Sequence, residues 1–254
     1  MIKGFCQTLA LAFLSLCSLN TQGSDVRLPF DEAKLEFSAP PLEQARWLLR
    51  PVAEYGVLGK PLTSLPNPQE DLIGKPMTVD RSQLQSYLSS HKITDAEIGG
   101  AITNTLKAKY FVIHDVSAPN YHEKTFPTNI NEATWFYNGL TFWGSNHAAH
   151  FFVNRLGQSV APHPLTTPWR ATKFETKVLK EKSRGLFVHT ELIQPRRTDP
   201  QGRPGNDGIA PDPGFTESQL DRLALLYVIA SVEHGTWMVP AFHANIDAGY
   251  SRRS

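Results

Sequence analysis

Tyr110-Phe111-Val112-Ile113-His114-Asp115 is the stretch on which the fold turns. Four β-favouring apolar residues in a row read as a strand buried on both faces, the kind that sits inside a parallel or mixed sheet. An imidazole and a carboxylate then end the run. Further along, Ala149-His150-Phe151-Phe152-Val153-Asn154-Arg155 repeats the apolar signature. Leu156-Gly157-Gln158 turns the chain and Ser159-Val160-Ala161-Pro162 starts a return strand, so a hairpin is expected. Gly185-Leu186-Phe187-Val188-His189-Thr190-Glu191-Leu192-Ile193 reads as another strand. Residues 196–213, rich in Gly, Pro and Asp, read as a loop. Thr216-Glu217-Ser218-Gln219 opens a helix in which Leu220, Leu223, Leu226 and Tyr227 recur at helical spacing, as far as Glu233. Val239-Pro240-Ala241-Phe242-His243 is a last extended segment. This order predicts an α/β fold, a central mixed β-sheet flanked by helices, with functional groups at strand ends.

Before the first strand the chain reads differently. Lys3, an almost unbroken apolar run from Phe5 to Leu19, and then Thr21-Gln22-Gly23 have the layout of an export signal over residues 1–23. The run is shorter than the roughly 20 residues that a membrane span needs, and no later segment qualifies as a transmembrane one. The two cysteines, Cys6 and Cys17, both fall inside this signal. The mature chain would then carry no disulfide and no thiolate ligand. Leu16 is bulky where a lipoprotein signal has a small residue, which argues against a lipid anchor at Cys17. The expected location is periplasmic or secreted.

Residues 24–104 read as a Pro-rich, irregular extension wrapped around a main domain at 105–254. It should hold a short helix within 42–55, a helix from Asp80 to about Ser90, and another from Thr94 to about Lys107. Residues 119–146 carry Tyr121, Phe126, Trp135, Phe136, Tyr137, Phe142 and Trp143 and suit a loop and helix beside a cleft, with most rings in the core. The 254 residues suit one full-sized domain plus an extension, and a net charge of +1 excludes the basic excess of a nucleic-acid binder.

Three ionisable groups end or interrupt apolar segments: His114, Glu191 and His243. Such groups are costly in buried strands unless paired or metal-bound, so they are expected to converge. Zinc hydrolysis uses a set of this type. Neutral imidazoles and an oxygen or sulfur ligand hold the ion, water takes the open position, and a carboxylate accepts the water's proton. The spacing alone is unspecific, because there is no H-E-x-x-H pair.

Four segments in order resemble the zinc-dependent N-acetylmuramoyl-L-alanine amidases, a family that includes phage lytic amidases and peptidoglycan recognition proteins. They are Tyr110 to Ser117, Ala148 to Gly157, Gly185 to Leu192, and the helix from Thr216 followed by Val239 to His243. The resemblance covers roughly residues 105–250. It implies an amidase-like fold, a Zn2+ cofactor, a peptidoglycan substrate, and cleavage of the amide between N-acetylmuramic acid and L-alanine. It makes His114 and His243 metal ligands and Glu191 the general base. His150 lies where the family often has a histidine that is not a ligand. A third ligand follows the second histidine in that family. Asp247 is the residue nearest that role here, although it comes early, with His122 and His147 as alternatives, or the sequence stops short of its natural end. Trp169 and Arg170 are expected to bind substrate, through sugar stacking and stem-peptide carboxylates. His189 shares a strand face with Glu191, whereas Asp115 should face away from His114. Two rivals remain. One is a non-catalytic peptidoglycan-binding protein on the same fold. The other is a serine or esterase-type hydrolase, for which the required G-x-S-x-G turn is missing.

Overall fold

The computed structural model describes residues 27–53, 56–103 and 105–249. The expected signal with Cys6 and Cys17, and residues 250–254, lie outside the described residues. The extension builds short elements. Strands β1 (Phe30–Asp31) and β2 (Glu36–Phe37) pair antiparallel, as do β3 (Val52–Ala53) and β4 (Val57–Leu58). Helix α1 (Pro41–Leu48) begins with proline in its first turn, where a missing N–H costs nothing. After α2 (Gln69–Leu72), helix α3 (Arg81–Ser90) is capped by Asp80, whose carboxylate accepts from the Ser82 N–H at 2.8 Å.

Helix α4 is shorter than its sequence suggests. Thr94 and Glu97 form the expected capping box, but the helix spans only Asp95–Ile98. Gly99 and Gly100 take φ of 83° and 119°, which a right-handed helix does not contain, so the expected continuation to Lys107 does not form.

The central sheet has five strands: β5 (Tyr110–Asp115), β6 (Phe151–Val153), β7 (Ser159–Val160), β8 (Phe187–Leu192) and β9 (Val239–Phe242). Their order is β7-β6-β8-β5-β9, with only the β6–β7 hairpin antiparallel. The fold is therefore α/β with a mixed sheet, as expected. Pro240 sits in β9, an edge strand, where one face of the backbone needs no ladder bond. Helix α5 (Leu140–Gly144) precedes β6. The long helix α6 (Glu217–His234) starts at a Thr216/Gln219 capping box and stops at Gly235. Helix α7 (His243–Ile246) follows β9 directly. Among the described residues, no helix is long and apolar enough to cross a membrane.

The two faces of the sheet have different covers. Phe111 meets Tyr227 of α6 edge-on at 5.5 Å, so α6 lies on that face. On the opposite face Tyr110 stacks on Phe187 at 5.1 Å and meets Phe37 at 5.4 Å. Side chains alternate along a strand, so His114 shares this second face with Tyr110, and His189 and Glu191 share it with Phe187. A π-helical turn, Phe174–Leu179, and the extension complete the cover, with Phe30 and Phe37 both against Phe174. A second apolar cluster joins Ile130, Trp135 and Trp143 to Phe152 and Ile193. Phe152 is paired with Glu191 across β6 and β8, so the aromatic segment packs beside the same face. Trp135 and Trp143 are core, while Phe136 and Phe142 stay exposed.

Candidate active site

The sheet register sets the first two groups side by side: His114 on β5 is the direct partner of Glu191 on β8. His114 Nδ1 lies 3.6 Å from Glu191 Oε1. Strand β9 runs parallel to β5 and ends one residue before His243, which delivers the His243 ring to 4.4 Å from that of His114. The three expected groups thus meet at the C-terminal ends of three adjacent strands. Exposure grades across them, from 2% for the His114 side chain through 14% for Glu191 to 40% for His243, so solvent reaches the cluster from the His243 side.

Each imidazole is held through its Nε2. His243 Nε2 is 2.9 Å from Asp247 Oδ2 one helical turn on. His114 Nε2 is 3.0 Å from Nδ1 of His189, which is buried on the same face. His189 Nε2 in turn lies 3.1 Å from Glu175 Oε2, in an approach bent away from an ideal hydrogen-bond line. The His189 backbone N–H donates to His150 Nδ1 at 3.0 Å, which leaves His150 Nε2–H to donate to the Thr167 carbonyl at 2.8 Å. His150 therefore ties β8 to the neighbouring loop.

Burial dominates the electrostatics. It holds His114 well below the usual imidazole range, and His243, His189 and His150 push in the same direction. A neutral imidazole is the form that binds metal. Burial raises Glu191 to about 7; His243 opposes the rise and Asp115 adds to it. Its Oε2 is buried with no hydrogen-bond partner among the described residues. Asp247 is held low: burial would raise it, but the His243 hydrogen bond and charge, with the Phe174 and Lys173 N–H groups, outweigh that. Asp115 is raised by burial, against an opposing pull from its ion pair with Arg196, and it also accepts from the Ser117 N–H at 2.7 Å.

The remaining expected residues fall elsewhere or into other roles. Asp247, the expected third ligand, has both oxygens engaged: Oδ2 with His243 and the Lys173 N–H at 3.0 Å, and Oδ1 with the Phe174 N–H at 2.9 Å. Of the two alternatives, His147 lies beside His163, with ring centroids 4.9 Å apart, and His122 sits in an exposed turn at φ 56°. Among the described residues, no three His, Cys, Asp or Glu side chains are arranged to hold one metal ion. Trp169 stacks on His163 at 4.1 Å and donates to the Ala148 carbonyl at 3.1 Å, while Arg170 pairs with Glu181 at 3.3 Å. A line of rings from Trp169 through His163, His150 and His189 reaches His114, so both residues stand at a distance from the cluster. A cavity lined by Arg27, Phe30, Phe37, Leu48 and Phe174 holds none of the converging groups.

Glu175 was not legible as a site residue. Thr172-Lys173-Phe174-Glu175 carries the T-x-x-E signature of a helix start, and that local role is filled: Glu175 Oε2 accepts from the Thr172 N–H and hydroxyl. Its approach to His189 is a tertiary contact with no mark in the sequence. Comparison with known proteins found no matching family model, no similar curated protein and no similar solved structure.

Proposed function

We propose that the protein is a zinc-dependent peptidoglycan hydrolase that cleaves the amide between N-acetylmuramic acid and L-alanine, built on an amidase-like fold and acting outside the cytoplasm. The observation that carries this reading is the pair of imidazoles, His114 and His243, each engaged through Nε2 and so left with Nδ1, beside a buried carboxylate. Metal-ligating histidines are commonly held through their second nitrogen in this way. His114 and His243 would hold the ion, and Asp247 would orient His243 instead of binding metal itself. Bound zinc would make water a nucleophile near neutral pH and polarise the scissile carbonyl.

Glu191 does the proton work. As the water oxygen bonds to the carbonyl carbon, Glu191 takes its proton. It returns that proton to the L-alanine nitrogen as the carbon–nitrogen bond breaks, giving a free lactyl carboxylate and a free amine. Trp169 and Arg170 would contact the more distant part of a long substrate, the Trp face a sugar and the guanidinium a carboxylate. The test is digestion of purified sacculi by the zinc-loaded protein, with release of peptides that begin at L-alanine, and loss of that release in Glu191→Ala.

A second reading is a peptidoglycan-binding protein that does not cut. It is favoured by the lack, among the described residues, of any three His, Cys, Asp or Glu side chains grouped to hold a metal ion. Such a protein would pull down with sacculi, hold no stoichiometric zinc and release no peptide.

A further inference from the structure

Among the described residues three large apolar side chains stand exposed, and two of them, Phe136 at 64% and Phe142 at 43%, are neighbours with ring centroids 5.4 Å apart. Single exposed apolar residues need no explanation, but rings grouped together call for one. The backbone beneath them is pinned. Trp143 Nε1–H donates to the Tyr137 carbonyl at 2.8 Å, the Ser145 hydroxyl to the Phe142 carbonyl at 2.9 Å, and the buried Asn138 amide to the Ile130 and Glu132 carbonyls. Tyr137 meets both rings edge-on, at 5.1 and 5.9 Å. The two rings therefore stand on a fixed base, tilted 59° to each other.

Charge and area narrow the choice of what covers them. Between Lys124 and Arg155 the chain has no Lys or Arg and one acid, Glu132. That suits neither an anionic membrane surface nor a nucleic acid, both of which are held by cations. A second copy of the chain would need about 800 Å² from each partner, and two partly exposed rings supply a fraction of it. An uncharged ligand with apolar faces and a polar rim fits better, and a pyranose is such a ligand. Its C–H faces stack on rings, while its hydroxyls can reach exposed polar side chains such as Thr141 and Ser145, which flank Phe142 in the sequence.

The location agrees with the proposed reaction. Trp143 stacks on Phe152 at 5.1 Å, and Phe152 is the register partner of Glu191. Helix α5 thus packs against β6, on the other side of Glu191 from β9 and His243. We propose that Phe136 and Phe142 form a sugar subsite that stacks on an uncharged pyranose of the glycan strand, next to the muramic acid whose amide is cut. The identity of the strand rests on the peptidoglycan reading above; the binding of a neutral sugar chain does not.

The probe is a soluble hexamer of N-acetylglucosamine, titrated into the metal-free full chain and followed by calorimetry. Wild type should bind it saturably, and Phe136→Ala and Phe142→Ala should each weaken binding about 3- to 10-fold. Phe136→Tyr keeps a ring and should bind as wild type does. Phe136→Leu keeps apolar bulk without a ring and should match Phe136→Ala. Phe136 is exposed, so its variants are expected to fold. No saturable binding by wild type, or wild-type binding by Phe136→Leu, overturns the proposal. So does a dimer in sedimentation, or capture by vesicles of phosphatidylglycerol and phosphatidylethanolamine, that Phe136→Ala abolishes, since a second copy or a membrane would then be the occupant. Digestion of sacculi separates the subsite from the zinc reading. If the hexamer binds as stated but the zinc-loaded protein releases no peptide, the subsite stands and the hydrolase reading fails. If sacculi are cut but every variant binds the hexamer like wild type, the hydrolase reading stands and the subsite fails.

Discussion

A base that must take a proton from water near neutrality works best when its own affinity for protons lies near that pH. Glu191 meets this condition because burial, helped by Asp115 and opposed by His243, lifts it from the ordinary 4.5 to about 7. On the proposed mechanism, Glu191→Gln should lower amide cleavage in sacculi at least about a hundredfold, with no comparable loss of zinc binding. The same lift has a signed effect on stability. Between pH 4.5 and about 7 the folded metal-free protein binds this proton more tightly than the unfolded chain does. The stabilisation is fully present below pH 4.5 and is lost as pH rises through about 7. Glutamine carries no such dependence. At pH 8 the metal-free Glu191→Gln variant should therefore be more stable than wild type by up to about 3 kcal/mol, and at pH 4.5 nearly equal to it. Urea titrations of both proteins at the two pH values measure this. A difference that does not change with pH would show that Glu191 is not raised.

At the scale of elements, the β6–β7 hairpin shows how a turn residue locks two layers together. Gly157 has φ +75°, and a Cβ there would stand 2.5 Å from the Ser218 carbonyl oxygen in the first turn of α6. Gly157→Ala thus combines a left-handed backbone with a clash against backbone that cannot swing aside, and should cost about 2–5 kcal/mol in denaturant unfolding. Gly205→Ala is the control: φ is +68°, but nothing lies within 4 Å, so only the backbone term of about 1–2 kcal/mol should appear. This hairpin, β5, β8 and α6 were legible in the sequence because each rests on local signals: apolar runs, a Gly turn, a capping box. The convergence of His114, Glu191 and His243 was legible only as a set of ionisable groups in apolar segments. The order that places β8 between β6 and β5, and the register that pairs His114 with Glu191, are tertiary facts. Where local signals competed, the glycines prevailed, and α4 ended at Ile98 despite its good start.

At the scale of the whole molecule, the extension is part of the core that supports the site. Phe37 and Leu48 belong to one apolar cluster with Phe111, Leu226 and Ile246. Phe37 is 5% exposed, its N–H donates to the Tyr110 hydroxyl at 2.9 Å, and its ring packs against Phe174. The Phe174 N–H holds Asp247, and Asp247 holds His243. A loosely attached arm would unfold ahead of the sheet and leave His243 undisturbed. A shared core makes a different demand: Phe37→Ala should cost about 3–5 kcal/mol and still give one cooperative transition, because the extension shares its apolar cluster with the sheet and the long helix. The loss should also reach the site, since a slackened Phe174 turn frees the Asp247 carboxylate. Unfolding followed in parallel by tryptophan fluorescence and far-ultraviolet circular dichroism, together with the imidazole spectrum of His243, tests both parts. Coincident transitions with an altered His243 signal are expected. Separated transitions, or a His243 signal unchanged by Phe37→Ala, would mean that the extension and the candidate site are mechanically independent.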